Sequence, residues 1–283
     1  MSDHACVVMD SDEQHWEVAA GFVAEGIKRD EKIVYYDGAG SCEPMLRRLR
    51  EDNVDAARYL RTEQLKVFGP ELTNQLWTLS VTEVAELFTR TIQGALAEGY
   101  AGVRVTEEPV GAVHRPAGHA LAEYDQRVHD GTRGHPVTLL CQYERADWSP
   151  AELTELCKLH QVTLATPAIY DDGMLRVTRE APFSTRVSGE IDFSNRHLVR
   201  KIIDKELERA LRTADQTEEI QVHLESLRFA DVTTIAQFVQ AAEGFPQSHK
   251  LVLYGVQPRI RRVLDKCGAR FTAQLTLREA LAA

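Results

Sequence analysis

Five side chains of this 283-residue chain could hold a soft metal ion: His4, Cys6, Cys141, Cys157 and His160. From Ser149 the spacing predicts a helix on which Leu153, Leu156, Cys157 and His160 follow the i, i+3, i+4, i+7 rule. Cys157 and His160 then share its buried face, and with Cys141 on a strand nearby they form a nitrogen–sulfur set that suits zinc. The competing reading is packing. Cysteine buries readily as a small hydrophobe, and a histidine on a core stripe more often bonds backbone than metal. The lack of paired C-x-x-C or H-x-x-x-H spacing favours packing.

Carboxylates are the next candidates. Asp10, Glu107, Glu108, Glu144 and, nearby, Glu123 fall at or beyond the C-terminal ends of predicted strands. With His4 and Cys141, the residues Asp10, Glu107, Glu123 and Glu144 could line a small-molecule site, whereas such an acidic rim repels phosphates unless a metal intervenes. Glu107 and Glu108 are adjacent, so in a strand they point to opposite faces, and we expect solvated loop acids in place of a catalytic pair. His114, His119, His129 and His135 crowd one region at spacings that match no metal site.

Hydroxyls raise the third possibility. In "RFADVTTIAQF" (228–238), Asp231 precedes Val232, Thr233 and Thr234 where a helix should begin. Asp231 reads as an N-cap and Ile235, Phe238 and Val239 as core. Thr233 or Thr234 could also accept a regulatory phosphate. No G-x-S-x-G elbow is present, and no Ser or Cys has a nameable base partner. The turn "DGAGSCEP" (37–44) has glycines but no Gly-Lys-Ser/Thr, so it cannot serve as a phosphate loop. We expect no enzyme; a metal-dependent one built on the cysteine–histidine cluster is the least favoured alternative.

Among the supporting elements, "ACVVM", "KIVYY", "LKVF", "GVRVT" and "PVTLLCQY" read as strands. Helices separate them, opened by capping boxes at Ser11–Gln14, Ser80–Glu83 and Ser149–Glu152, with one more near 118–129. The buried stripes should be Trp16, Ala20, Val23 and Ile27, then Val84, Leu87, Phe88, Thr91, Ala95 and Leu96. Such alternation implies a mainly parallel sheet covered on both faces. The character changes at "AIYDDGMLRVTRE", so we divide the chain into residues 1–170 and 171–283. The second part should hold further strands, a helix with Leu198, Ile202 and Leu207 inward, helices from about 232 and at "PRIRRVLDKCG", a strand "FTAQL" and a terminal helix.

The formal net charge is −10, and residues 1–170 carry nearly all of the excess, with 16 basic and 27 acidic side chains. Residues 171–283 are almost neutral, with 17 and 16. Nucleic acid is therefore disfavoured as a partner, since its binding relies on cations. No 18-residue apolar run and no basic, apolar leader is present, so we expect neither a membrane span nor secretion. Five widely spread cysteines argue for reduced thiols in a cytoplasmic protein.

Two resemblances organise these readings. His4, "FVAEGIKRDEKIVYY" (22–36), "GYAGVRVTEE" (99–108), "LAEYDQRV" (121–128), "VTLLCQYERADW" (137–148) and "LCKLHQVTLATPAIYDDGMLRVTR" (156–179) resemble a MEDS domain. This is the sensory domain of methanogen and methylotroph regulators. The resemblance implies a RecA-like parallel α/β sandwich without nucleotide machinery, binding an unidentified small molecule. The family's usual His-Pro is His160-Gln161 here. "SGEIDFSN" (188–195), "IQVHLESLRFADVTTI" (220–235) and "KLVLYGVQPRIRRVLDKCGARFTAQLTLREAL" (250–281) are similar to a STAS domain of the anti-sigma factor antagonist type, a smaller α/β fold.

The STAS resemblance implies a partner that is both an anti-sigma factor and a serine kinase, gripped through Asp231, Val232, Thr233 and Thr234. The family phosphorylates the residue after the aspartate; here that residue is Val232, which has no hydroxyl. Either the acceptor has moved to Thr233 or Thr234, or the protein is a ligand-responsive, stressosome-like scaffold without a phosphorylation cycle. A homo-oligomer stays open, and no resident cofactor is expected.

Overall fold

The structure, a computed structural model, describes residues 3–76, 79–109, 126, 129, 130, 132, 134–213 and 218–280. Its contacts divide the chain into one unit of Met1–Arg50 with Val54–Thr166 and another of Glu51–Asn53 with Pro167–Ala283.

In the first unit, strands β1 (Asp3–Met9), β2 (Lys32–Tyr36), β3 (Leu65–Phe68), β4 (Val103–Glu107), β5 (Val137–Glu144) and β6 (Val162–Leu164) form one sheet in the order β3-β2-β4-β5-β1-β6. Every pairing is parallel. The helices include α1 (Asp12–Lys28), α2 (Cys42–Glu51), α3 (Ala56–Arg61), α4 (Pro70–Leu76), α5 (Val81–Ala97) and α6 (Pro150–Leu159). Along β2 the side chains alternate. Ile33 and Tyr35 pack with Ala19, Ala20, Val23, Met45 and Leu49, while Val34 and Tyr36 pack with Val84, Phe88 and Ile92. Both faces of the sheet are therefore covered, as strand periodicity requires of a parallel sheet.

Helix starts follow local chemistry. Complete capping boxes open α5 at Ser80 and α6 at Ser149. At Ser11 only the hydroxyl half is made, because the Gln14 side chain accepts from the amide of Asp10 instead. The stripe of α5 runs through Val84, Phe88, Ile92 and Ala95, with Leu96 40% exposed, so Ile92 takes the place expected for Leu96. On α1, Trp16 is only half-buried while Glu13, Gln14 and His15 turn inward, because polar partners await them there. The helix expected near 118–129 lies largely outside the described residues. At Gly94, on α5, an added Cβ meets nothing within 4 Å. Gly94→Ala is expected to raise stability by about 0.5–1 kcal/mol, read from the denaturation midpoint.

The second unit forms a mixed sheet from β7 (Tyr170–Asp171), β8 (Leu175–Ala181), β9 (Ser184–Ile191), β10 (Glu219–His223), β11 (Leu227–Ala230), β12 (Lys250–Tyr254) and β13 (Leu275–Arg278). Its order is β13-β12-β10-β9-β8-β7, with β11 on β9. Helices α7 (Arg196–Arg212), α8 (Val232–Glu243) and α9 (Pro258–Lys266) contribute to a single core with Val222, Leu251 and Leu253. The buried side of α7 is Val199, Ile203, Glu206 and Ala210, rotated from the expected Leu198 stripe. A buried glutamate is accommodated because Arg179 and Arg209 both donate to it. The expected strand "FTAQL" begins later, at Leu275, after a short 3-10 turn over Ala269–Phe271. No helix follows β13 among the described residues.

Candidate functional site

The tip of α8 is built from local hydrogen bonds. The Asp231 carboxylate accepts from the Thr234 amide at 2.6 Å and pairs with Arg196 at 3.1 Å, while the Asp231 amide donates to the Ile191 carbonyl at 3.2 Å. These contacts hold the helix start beside the loop that follows β9. Val232 is 64% exposed, and Thr233 is exposed as well. Thr234 is 2% exposed, and its hydroxyl has no hydrogen-bond partner among the described residues. The two threonines are thus unequal: the first is open to solvent and the second is covered. Two further apolar side chains stand out at this end of the sheet, Phe193 at 76% exposed in the loop after β9 and Phe229 at 47% in β11. Sequence reading missed both, since each looks like ordinary core in a strand-rich segment.

In the first unit, β1 passes into α1 through Asp10 and Ser11 alone, leaving no room for a phosphate loop there. After β2, the Asp37 carboxylate itself accepts from the amides of Gly40, Ser41 and Cys42 at 2.6, 2.8 and 2.9 Å. A phosphate would need those same amides. The turn "DGAGSCEP" is filled by its own aspartate.

The predicted ligand rim separates. Asp10 ion-pairs with Arg145. Glu144 is half-buried, and burial, with Asp12, Asp147 and Asp10 near it, pushes its carboxyl up. Glu123 lies outside the described residues, as do His114 and His119. What does come together is His4, Cys141 and Glu107: the Cys141 sulfur is 3.5 Å from His4 Nε2 and 3.4 Å from Glu107 Oε1. The third metal-ligating atom near them belongs to His160, with all three donors of His4, Cys141 and His160 within 4.8 Å of one another. Cys157 instead packs beside Cys6, Tyr143 and Trp148, so His4 stands where the helical spacing suggested Cys157.

Glu107 and Glu108 are not solvated loop acids; they are 6% and 3% exposed. They do point apart, as strand alternation demands. Glu108 accepts from His15 Nε2 at 2.5 Å, from the Ser41 hydroxyl at 2.7 Å, from the Ala39 amide at 3.3 Å and from the Tyr35 hydroxyl. Burial alone would lower His15, but the bonded Glu108 carboxylate outweighs it and raises the imidazole above its ordinary value. Burial would raise Glu108, yet its bonds from His15, Tyr35 and Ser41 hold it below the usual carboxylate range. The result is a buried ion pair that joins α1, β2 and the end of β4. Its donors converge on one carboxylate, which makes it an internal support. No local spacing links these residues; the only hint was an acid directly after an apolar strand.

No cysteine forms a disulfide. No helix among the described residues is long and apolar enough to cross a membrane.

Comparison with known proteins matches this division. The family model described as MEDS, methanogen/methylotroph DcmR sensory domain, matches residues 3–161. A STAS domain model matches residues 175–282. No curated protein matches the chain. Among solved structures, the flagellar accessory protein FlaH from Methanocaldococcus jannaschii is similar at 8% identity, over 65% of this chain and 77% of that one, with a TM-score of 0.42. A KaiC-like protein from Pyrococcus horikoshii OT3 is similar at 11% identity, over 66% and 78%, with a TM-score of 0.40.

Proposed function

The chain belongs to the MEDS sensory-domain family and carries a STAS domain after it, and on that premise we propose that the STAS domain grips an anti-sigma factor through the tip of α8, under control of a small molecule sensed by the MEDS domain. Both domains are of sensory and regulatory kinds, not enzyme families. The observation that carries the proposal is the exposed apolar group at the end of α8: Val232 at 64% exposed, with Thr233 beside it and Phe193 and Phe229 at the same end of the sheet. Exposed apolar side chains grouped in this way mark interaction surfaces.

Phosphorylation at this tip would act by charge. A phosphate on Thr233 brings about −1.5 to −2 charges onto this face, next to the Asp231 carboxylate. Thr233 is the acceptor the geometry favours, since the Thr234 hydroxyl is buried. A second reading draws on Val232 at the family's acceptor position: a scaffold that binds without any phosphorylation cycle. Incubation of the chain with the kinase and ATP, followed by mass spectrometric mapping, separates the two.

Calorimetric titration of the full chain with the anti-sigma factor tests the docking itself. Val232→Asp is expected to weaken binding by about 30-fold or more, the loss typical of a central contact residue. Leu211→Asp, on an exposed position of α7, is expected to leave it unchanged. Absence of binding by the unmodified, unphosphorylated chain would remove the reading altogether.

A further inference from the structure

We propose that His4, Cys141 and His160 form a zinc site in the first unit. The proposal needs only side chains of this unit and stands apart from the docking of a partner at α8.

The backbone brings the three donors together. β1 and β5 pair in parallel with His4 opposite Leu139, so Cys141 lies two residues along and on the same face as His4. His160 follows the last turn of α6, and the next residue is tied to β1 from both sides. The Gln161 amide donates to the His4 carbonyl at 3.0 Å, and the His4 amide donates to the Gln161 side chain at 3.3 Å. The His4 and His160 rings consequently lie 4.4 Å apart, centre to centre.

The distances fit a metal polyhedron. Zinc–nitrogen bonds of about 2.0–2.1 Å and zinc–sulfur bonds of about 2.3 Å give tetrahedral edges of roughly 3.5 Å. The His4 Nε2 to Cys141 Sγ separation is already 3.5 Å. The remaining donor separations lie within 4.8 Å. Two imidazoles and one thiolate are a borderline-soft donor set, which selects zinc over magnesium or calcium.

Tautomer and charge also suit ligation. His160 Nδ1–H donates to the Leu156 carbonyl at 2.8 Å, which leaves the Nε2 lone pair as the donor toward the cluster. A ring held through its other nitrogen is the usual arrangement behind a metal-bound histidine. Cys141 must lose its proton on binding, so one proton per metal is released to solvent. Glu107 Oε1, 3.4 Å from the sulfur, is placed to receive that proton first. Packing alone would explain a buried cysteine; it does not require three ligand atoms of the right kinds to converge.

The test is spectroscopic. The full chain, reduced and stripped of metal, is titrated with cobalt(II) and then with zinc(II). One equivalent of cobalt is expected to give intense tetrahedral visible bands and a thiolate-to-cobalt charge-transfer band, both removed by zinc. Cys141→Ser is expected to abolish the charge-transfer band and weaken affinity by about 100-fold or more. Cys157→Ser, outside the cluster, is expected to keep both, and His4→Asn to lose the tetrahedral bands. The proposal is overturned if the unsubstituted chain gives no tetrahedral spectrum, or if the charge-transfer band survives Cys141→Ser or vanishes with Cys157→Ser. The first and last of these outcomes hold even if removing Cys141 prevents folding.

Discussion

Glu108→Ala is expected to lower the unfolding free energy of the MEDS domain by about 3–5 kcal/mol, the loss seen when one partner of a buried ion pair is removed. The cost arises from what is left behind. His15 is 6% exposed and Tyr35 is fully buried, and both direct their polar atoms at the missing carboxylate. Tyr35 retains its hydrogen bond with Ser41 at 2.6 Å, but His15 would face a cavity. Against a typical domain stability of about 5–15 kcal/mol, this is a large fraction. Urea denaturation followed by tryptophan fluorescence measures it cleanly, because Trp16, Trp77 and Trp148 all lie within residues 1–170. An unchanged midpoint would show that the pair adds nothing.

The same pair sets a pH window. His15 is raised on folding, so its contribution is complete below its unfolded value, about 6.5, and is lost as pH rises through the folded value. Glu108 is lowered, so its contribution is complete above its unfolded value, about 4.3, and is lost as pH falls through the folded one. The destabilisation caused by Glu108→Gln, which keeps the shape and removes the charge, is therefore expected to peak between about pH 4.3 and 6.5 and to shrink on either side. A difference that stays the same well below pH 4.3 and well above pH 6.5 would mean the pair is not ionised.

Gly189→Ala is expected to destabilise the STAS domain by about 3 kcal/mol or more, combining left-handed strain with overpacking. Gly189 has φ of +97°, and an added Cβ would lie 2.0 Å from the Met174 carbonyl oxygen. That obstacle is backbone and cannot swing aside. Met174 also accepts from the Glu190 amide at 2.9 Å, and Gly189 pairs with Leu175 on one side and Leu227 on the other. Relieving the clash therefore pulls β9 from β8 where β9 also meets β11. The glycine in "SGEIDFSN" thus owes its identity to a crowded three-strand junction. Amide hydrogen exchange in β8, β9 and β11 reports the loss directly, since this half of the chain has no tryptophan; protection equal to that of the unsubstituted chain would contradict the account.

What could be read from the residues alone was short-range. The hydroxyl caps at Ser80 and Ser149, the Asp231 cap and the alternation along "KIVYY" each depend on neighbours within about four positions, where chain geometry is nearly dictated. The parallel first sheet and the change of pattern near residue 171 follow from stringing such elements together. The second-half motifs were recognisable for the same reason, being contiguous stretches.

Tertiary structure decided which polar groups meet and which are covered. Glu108 finds His15, Tyr35 and Ser41 across 93, 73 and 67 residues, and Cys141 meets His4 across 137. No periodicity carries such information, because loops and helices of any suitable length could have joined the strands in another order. Thr233 and Thr234 have the same side chain and adjacent places in one helical turn, yet one is exposed and the other buried. Composition cannot separate them; the direction in which α8 lies on its sheet does, and with it which hydroxyl another protein can touch.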